Sequence, residues 1–149
     1  DETERYGEYS KPGEFIYDRP FQFGSRRIGP DLHRVGNKYV GAGGAMWHYN
    51  HMWDPQITSK GSIMPAYTWL YESELDLSHT SAKLKTFKEF FNAPYSDDDV
   101  NNAVKHAQAQ ADEIAEGLKA QGAEKDIRAK KIVALIAYLQ VLGTHAPKN

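Results

Sequence analysis

The chain contains no cysteine in 149 residues, which excludes disulfides, thiolate metal sites and thiol nucleophiles from it. That absence says little about compartment, because reducing and oxidising compartments both hold proteins without the residue. No run approaches the roughly 18 apolar residues that a membrane span needs. The opening Asp1-Glu2-Thr3-Glu4-Arg5 has none of the features of a secretory leader. A strong charge of one sign is also missing. A net charge of −2 gives no global positive field for a nucleic acid backbone or an anionic membrane surface. No P-loop, dinucleotide fingerprint or nucleophile elbow occurs.

What is present suits a globular chain. With 40% hydrophobic and 26% charged residues over 149 positions, one domain with a real core is expected, spanning 1–149. Residues 1–77 are punctuated by Gly, Pro, Asn and Asp and read as loops with short helices, while 78–149 are rich in Ala, Lys, Glu and Leu and read as helices. The expected fold is therefore mainly α. Ile132, Leu135, Ile136, Leu139 and Leu142 recur at helical spacing before Gly143 and predict a helix over 123–142. Ser96, with a carboxylate three residues on at Asp99, predicts an N-cap. The polar helix it launches carries a weak apolar stripe of Val100, Val104, Ala107, Ala111, Ile114 and Leu118. Shorter helices are expected over 81–91, ending before Asn92-Ala93-Pro94, and over 46–53, stopped by Asp54-Pro55. Gly41-Ala42-Gly43-Gly44 reads as a loop, and "EFIYDRPFQF" at 14–23 as a hairpin or extended arm.

Met64 stands in "SIMPAY", residues 62–67. A loop methionine is ordinarily core filler. Here Pro65 holds Met64 in extended backbone and offers no N–H of its own, so the pair can present a soft thioether in one direction. Such donors suit haem iron and copper(I). Upstream, Ile28-Gly29-Pro30-Asp31-Leu32-His33-Arg34-Val35-Gly36 by itself reads as a turn followed by one helical turn. His48 and His51 lie at i, i+3, close enough to share a metal with His33 as a third candidate. The competing reading is exposed or stacking histidines among Trp47, Tyr49 and Trp53, and no carboxylate at motif spacing supports the metal. Asp97, Asp98 and Asp99 suit helix capping better than a calcium loop, since no later Gly and Glu complete one.

Taken together, "GPDL" at 29–32 with Val35-Gly36 and Tyr39, Trp47-His48, Asp54-Pro55, "SIMPAY" and the closing "ALIAYLQVLGT" at 134–144 resemble the mono-haem cytochrome c subunit (subunit II) of cbb(3)-type cytochrome c oxidase. The segment "ETERYGEYSKPGEFIYDRPFQFGSRRIGPDL" at 2–32 is similar to the same subunit, and the resemblance is weakest over 40–46 and 95–125. It implies a cytochrome c-like helical domain that carries haem c. Members of the family attach the haem through a C-x-x-C-H motif, whose His is the proximal ligand, just upstream of the acidic segment. This cysteine-free chain departs from them there. It is expected to follow an upstream portion holding that motif, the first haem-attachment helix and a membrane anchor, and without that portion covalent attachment is impossible.

By the same resemblance, Met64 is the distal axial ligand. Pro30 supplies the carbonyl that accepts a hydrogen bond from the proximal His ring. Leu32, Tyr39, Trp47, Ile63 and Tyr67 border the haem, with Tyr or Trp donating to a propionate. The implied function is single-electron relay to the haem-copper catalytic subunit, with the catalytic and di-haem subunits as partners, on the periplasmic side of the bacterial inner membrane. A reading of a different class is a haem-free interaction module in which Met64 packs internally and the long polar helix docks a partner. Without haem, a groove lined by Leu32, Ile63, Met64 and Trp47 would be exposed, and self-association of the chain would cover it.

Overall fold

The structure is a computed structural model that describes residues 13, 29, 32–39 and 41–144, the side chains of 41 and 42 excepted. Pro30, Asp31 and the expected arm at 14–23 lie outside the described residues. Among the described residues the regular structure is helical: α1 (Val35–Lys38), α2 (Gly41–Trp53), α3 (Pro55–Thr58), a 3-10 turn (Thr68–Tyr71), α4 (Thr80–Phe91), α5 (Asp97–Asn101), α6 (Ala103–Ala120) and α7 (Lys131–Val141). One isolated bridge, Glu74 to Lys130, stands where a strand pair would begin. The mainly α expectation holds. No described helix is long and apolar enough to cross a membrane.

The chain divides into two compact units, Asp1–Ala66 with Leu135–Asn149, and Tyr67–Ala134. The change of composition near residue 78 falls inside the second unit. There, α4 packs on α5 and α6. Ser96 and Asp99 form the expected capping box: the Ser96 Oγ accepts from the Asp99 N–H, and the Asp99 carboxylate accepts from the Ser96 N–H at 2.8 Å. The polar helix is broken in two at Asn102, whose side chain turns back to donate to Asp98 Oδ1. Its inward stripe then runs through Ala103, Ala111, Ala115 and Leu118, all buried.

The last helix starts eight residues later than expected. Gly122 takes φ +93°, a left-handed value that ends α6 rather than opening another helix. The Asp126 carboxylate accepts from the Arg128 N–H at 3.1 Å, while Ile127 is buried. The segment then pairs with 72–75: Leu75 N–H donates to Ala129 O at 2.8 Å, Lys131 N–H to Ser73 O at 3.0 Å, and Lys130 pairs with the Glu74 carboxylate. These partners satisfy backbone groups that a longer helix would have used internally.

In the first unit, α7 buries Ile136 and Leu139 and ends at Gly143, φ +83°. The turn after "GPDL" is held on that end through backbone: Gly36 N–H donates to Leu142 O at 3.0 Å, and Asn37 Nδ2 to Gly143 O at 3.1 Å. A Cβ on Gly36 would collide with the carbonyls of Gln140 and Leu142, so the glycine is what permits the approach.

The stretch Gly41-Ala42-Gly43-Gly44, expected as a loop, is the first turn of α2. Gly44 explains why glycine is placed in a helix, since its Cα lies against the carbonyl of Tyr39, where a Cβ would overlap the oxygen. Gly43 has open space beside it. Gly44→Ala is therefore expected to cost about 1–3 kcal/mol through overpacking. Gly43→Ala should stabilise by up to about 1 kcal/mol through helix propensity. Urea unfolding of the two variants checks this, and equal effects of one sign would refute the packing argument.

Candidate functional site

The site is built on α2 and the loop that follows it. Asp54 caps α3 by accepting from Gln56 N–H at 3.0 Å, and Pro55 occupies the first helical position, where a missing N–H costs nothing. The Thr58 hydroxyl lies 3.3 Å from Pro55 O, within donating reach of it. The same Oγ1 is hydrogen-bonded to His51 Nδ1, which ties the ring to α3. The chain next turns through Gly61 at φ +81°, with Ser62 N–H donating to Ser59 O at 3.0 Å. The Ser62 hydroxyl accepts from Met64 N–H at 3.2 Å. With this bond before it and Pro65 behind it, the Met64 backbone is pinned on both sides. Its side chain is half-buried.

Four rings assemble on the α2 side. Tyr39 stacks on Trp47 at 3.8 Å and 13°, and Trp47 on His51 at 4.4 Å and 18°. His48 stands edge-on to Tyr39 at 5.5 Å and to Trp47 at 5.3 Å. Stacking of this kind contributes about 0.5–1.5 kcal/mol per pair beyond area burial. The structure thus joins Tyr39 and Trp47 of the expected site residues. Leu32 is 46% exposed and Ile63 is 100% exposed, so no described residue covers Ile63. Tyr67 is half-buried and opens the second unit, where its carbonyl accepts from Leu70 N–H at 3.0 Å. Pro30 lies outside the described residues.

Of the two alternatives read for His48, exposed or stacking, the structure has the second: the ring packs edge-on against Tyr39 and Trp47. It is 1% exposed, and neither ring nitrogen has a hydrogen-bond partner among the described residues. Burial, reinforced by the neighbouring His51, lowers its pKa to about 4, so the ring is neutral at pH 7. Burial also lowers His51. The available signal was register. Ala45, His48 and Tyr49 fall at i, i+3 and i+4, and all three are buried, which puts a polar residue in the helix's core stripe. No group of three or more His, Asp or Glu residues that could hold a metal ion occurs among the described residues.

The residues present fit a flat, largely apolar group such as haem. A fixed thioether offers a soft donor beside an uncovered Ile63, with Leu32 and Ile57 also exposed in the same unit. The nitrogens of His48 find no hydrogen-bond partner among the described residues. The family model described as "Cytochrome C oxidase, mono-heme subunit/FixO" matches residues 1–146. No curated protein matches the chain.

Proposed function

From the premise that the chain belongs to this family of mono-haem cytochrome c oxidase subunits, we propose that its first unit is a haem c electron-relay domain of a cbb(3)-type oxidase, with Met64 as the distal iron ligand. Haem, when bound, supplies a one-electron couple at its iron. The chain's own residues hold and tune it. Met64 offers a thioether from a backbone pinned by Ser62 and Pro65, and Leu32 and Ile63 exclude water with their apolar side chains. Tyr39 and Trp47 border the group as one rigid stacked pair. Pro30 fixes the proximal imidazole through its carbonyl. Electrons pass to the catalytic subunit, with the di-haem subunit as a further partner, on the periplasmic side of the inner membrane. Membership itself places the chain in the oxidase complex.

The observation that supports this most is the doubly pinned Met64 beside an uncovered Ile63. A core-filling methionine needs neither. The test joins a C-x-x-C-H segment upstream, expresses the protein with haem-attachment machinery and compares spectra of the wild type and Met64→Ala. Loss of the low-spin His/Met spectrum in Met64→Ala is expected. An unchanged spectrum would end the assignment.

A further inference from the structure

We propose that Ser62 is a positioning residue: its hydroxyl holds the Met64 backbone so that the sulfur resists displacement, which keeps the site closed to small ligands from solution. This role rests on the haem reading above and adds control of ligand access to it.

A methionine side chain has three rotatable bonds, so its sulfur reaches one point reliably only when the backbone beneath it is fixed. Packing does little of that fixing here. Ile63 is 100% exposed, Pro65 and Ala66 are exposed, and Met64 itself is half-buried. What remains is hydrogen bonding, and it forms a continuous series. Pro55, buried at the start of α3, accepts at its carbonyl from Ser59 N–H at 2.9 Å. Ser59 O accepts from Ser62 N–H at 3.0 Å, and Ser62 Oγ accepts from Met64 N–H at 3.2 Å. Among the described residues, Ser62 thus joins the exposed loop to a buried anchor.

The backbone between Ser59 and Ser62 is a tight turn over Lys60 and Gly61. Gly61 has the φ of +81° that a type II turn requires at its third residue. The space beside it is open, so a methyl group there would meet no neighbour and would act only through the backbone. After the turn the chain alternates, with Ser62 and Met64 half-buried and Ile63 and Pro65 exposed. Ser62 therefore makes both bonds that fix the approach to Met64, one through its N–H and one through its hydroxyl.

The consequence is for exchange. An imidazole or carbon monoxide from solution takes an axial position only when the thioether gives it up, and releasing the loop means breaking the bonds at Ser62. A neutral hydrogen bond of this kind is worth a factor of about two to ten in an equilibrium.

The test titrates imidazole into the ferric haem-loaded protein prepared as above, and carbon monoxide into the ferrous form. It compares the wild type with Met64→Ala, Ser62→Ala, Ser62→Thr and Gly61→Ala. Met64→Ala sets the affinity of an open site. Ser62→Ala is expected to raise the apparent affinity for both probes about two- to tenfold above the wild type. Ser62→Thr, which keeps the hydroxyl acceptor, should hold the wild-type value. Gly61→Ala should move in the same direction as Ser62→Ala, by about five- to thirtyfold, since an alanine is strained at a left-handed φ. Urea unfolding of the haem-free variants gives the structural effect separately. A merely structural serine would lower the urea midpoint and leave both affinities unchanged, and that result overturns the proposal. So does a Ser62→Thr as open as Ser62→Ala. If Met64→Ala binds imidazole no more tightly than the wild type, the haem reading itself fails. An open Met64→Ala beside an unmoved Ser62→Ala refutes the role of Ser62 alone.

Discussion

Acidification from pH 7 to pH 4 should destabilise the haem-free chain by about 3 kcal/mol through His48 alone. The folded chain holds this ring neutral, with a pKa lowered from 6.5 to about 4, chiefly by burial and then by His51. The unfolded chain takes up the proton below about pH 6.5. Stability from the neutral ring is therefore fully present above that pH and is lost as the pH falls toward 4. Each pKa unit of difference is worth about 1.4 kcal/mol. His51, lowered by burial, adds in the same direction. Asp76, Asp97 and Asp126, all exposed, and Asp99, half-buried, are held below 3.8 mainly by hydrogen bonds to Ser78, Lys88, Arg128 and Ser96 respectively. Their contributions are lost below the histidine window and are screened by solvent. Urea unfolding at pH 7, 6, 5 and 4 measures the slope, and His48→Leu should remove most of it. A flat profile from 6.5 to 4 in the wild type would show that the ring is not held neutral by the fold.

The fold was most legible where a short-range signal had no competitor. Ser96 with Asp99 carries its own geometry, and the capping box forms with both bonds in place. The apolar period through Ile132, Ile136 and Leu139 is likewise a local property, and all three side chains are buried. The start of α7 was not legible, because what holds 123–130 out of the helix is pairing with residues 72–75, some fifty positions away. Propensity alone cannot weigh such a partner. The glycine run misled for a related reason. Gly44 resembles loop punctuation until the Tyr39 carbonyl against its Cα is known.

The site divides along the same line. The Met64-Pro65 pair could be read directly, since proline's restriction of the preceding residue acts between neighbours, and the Ser62 bond completes it two residues away. The stacking of Tyr39 on Trp47 depends on α2 beginning at Gly41, three residues before the close approach at Gly44. Without that start the two rings have no fixed relation in sequence. His48 needed only the register of Ala45 and Tyr49, but a helix expected to begin at Met46 leaves Ala45 outside and hides the stripe.

Met64→Ala should lower the reduction potential of the haem-loaded protein by on the order of a few tenths of a volt, within the about 0.8 V span that axial ligands command. The sign comes from ligand chemistry. A thioether is soft and a weak donor, so it stabilises ferrous iron relative to ferric, whereas the water oxygen that would replace it is hard and favours ferric. The haem-free chain discriminates between this role and core filling. Truncating a buried methionine costs about 2–5 kcal/mol, but the Met64 side chain is only half-buried next to an Ile63 that no described residue covers. Haem-free Met64→Ala should therefore lose less than about 1 kcal/mol, since even full burial of such a side chain is worth only about 1.5–3. A spectroelectrochemical titration and a urea curve on the same variant give the two numbers. A large fall in potential with a small loss of stability identifies a ligand, while the opposite pair identifies a packing residue and returns the chain to the haem-free reading.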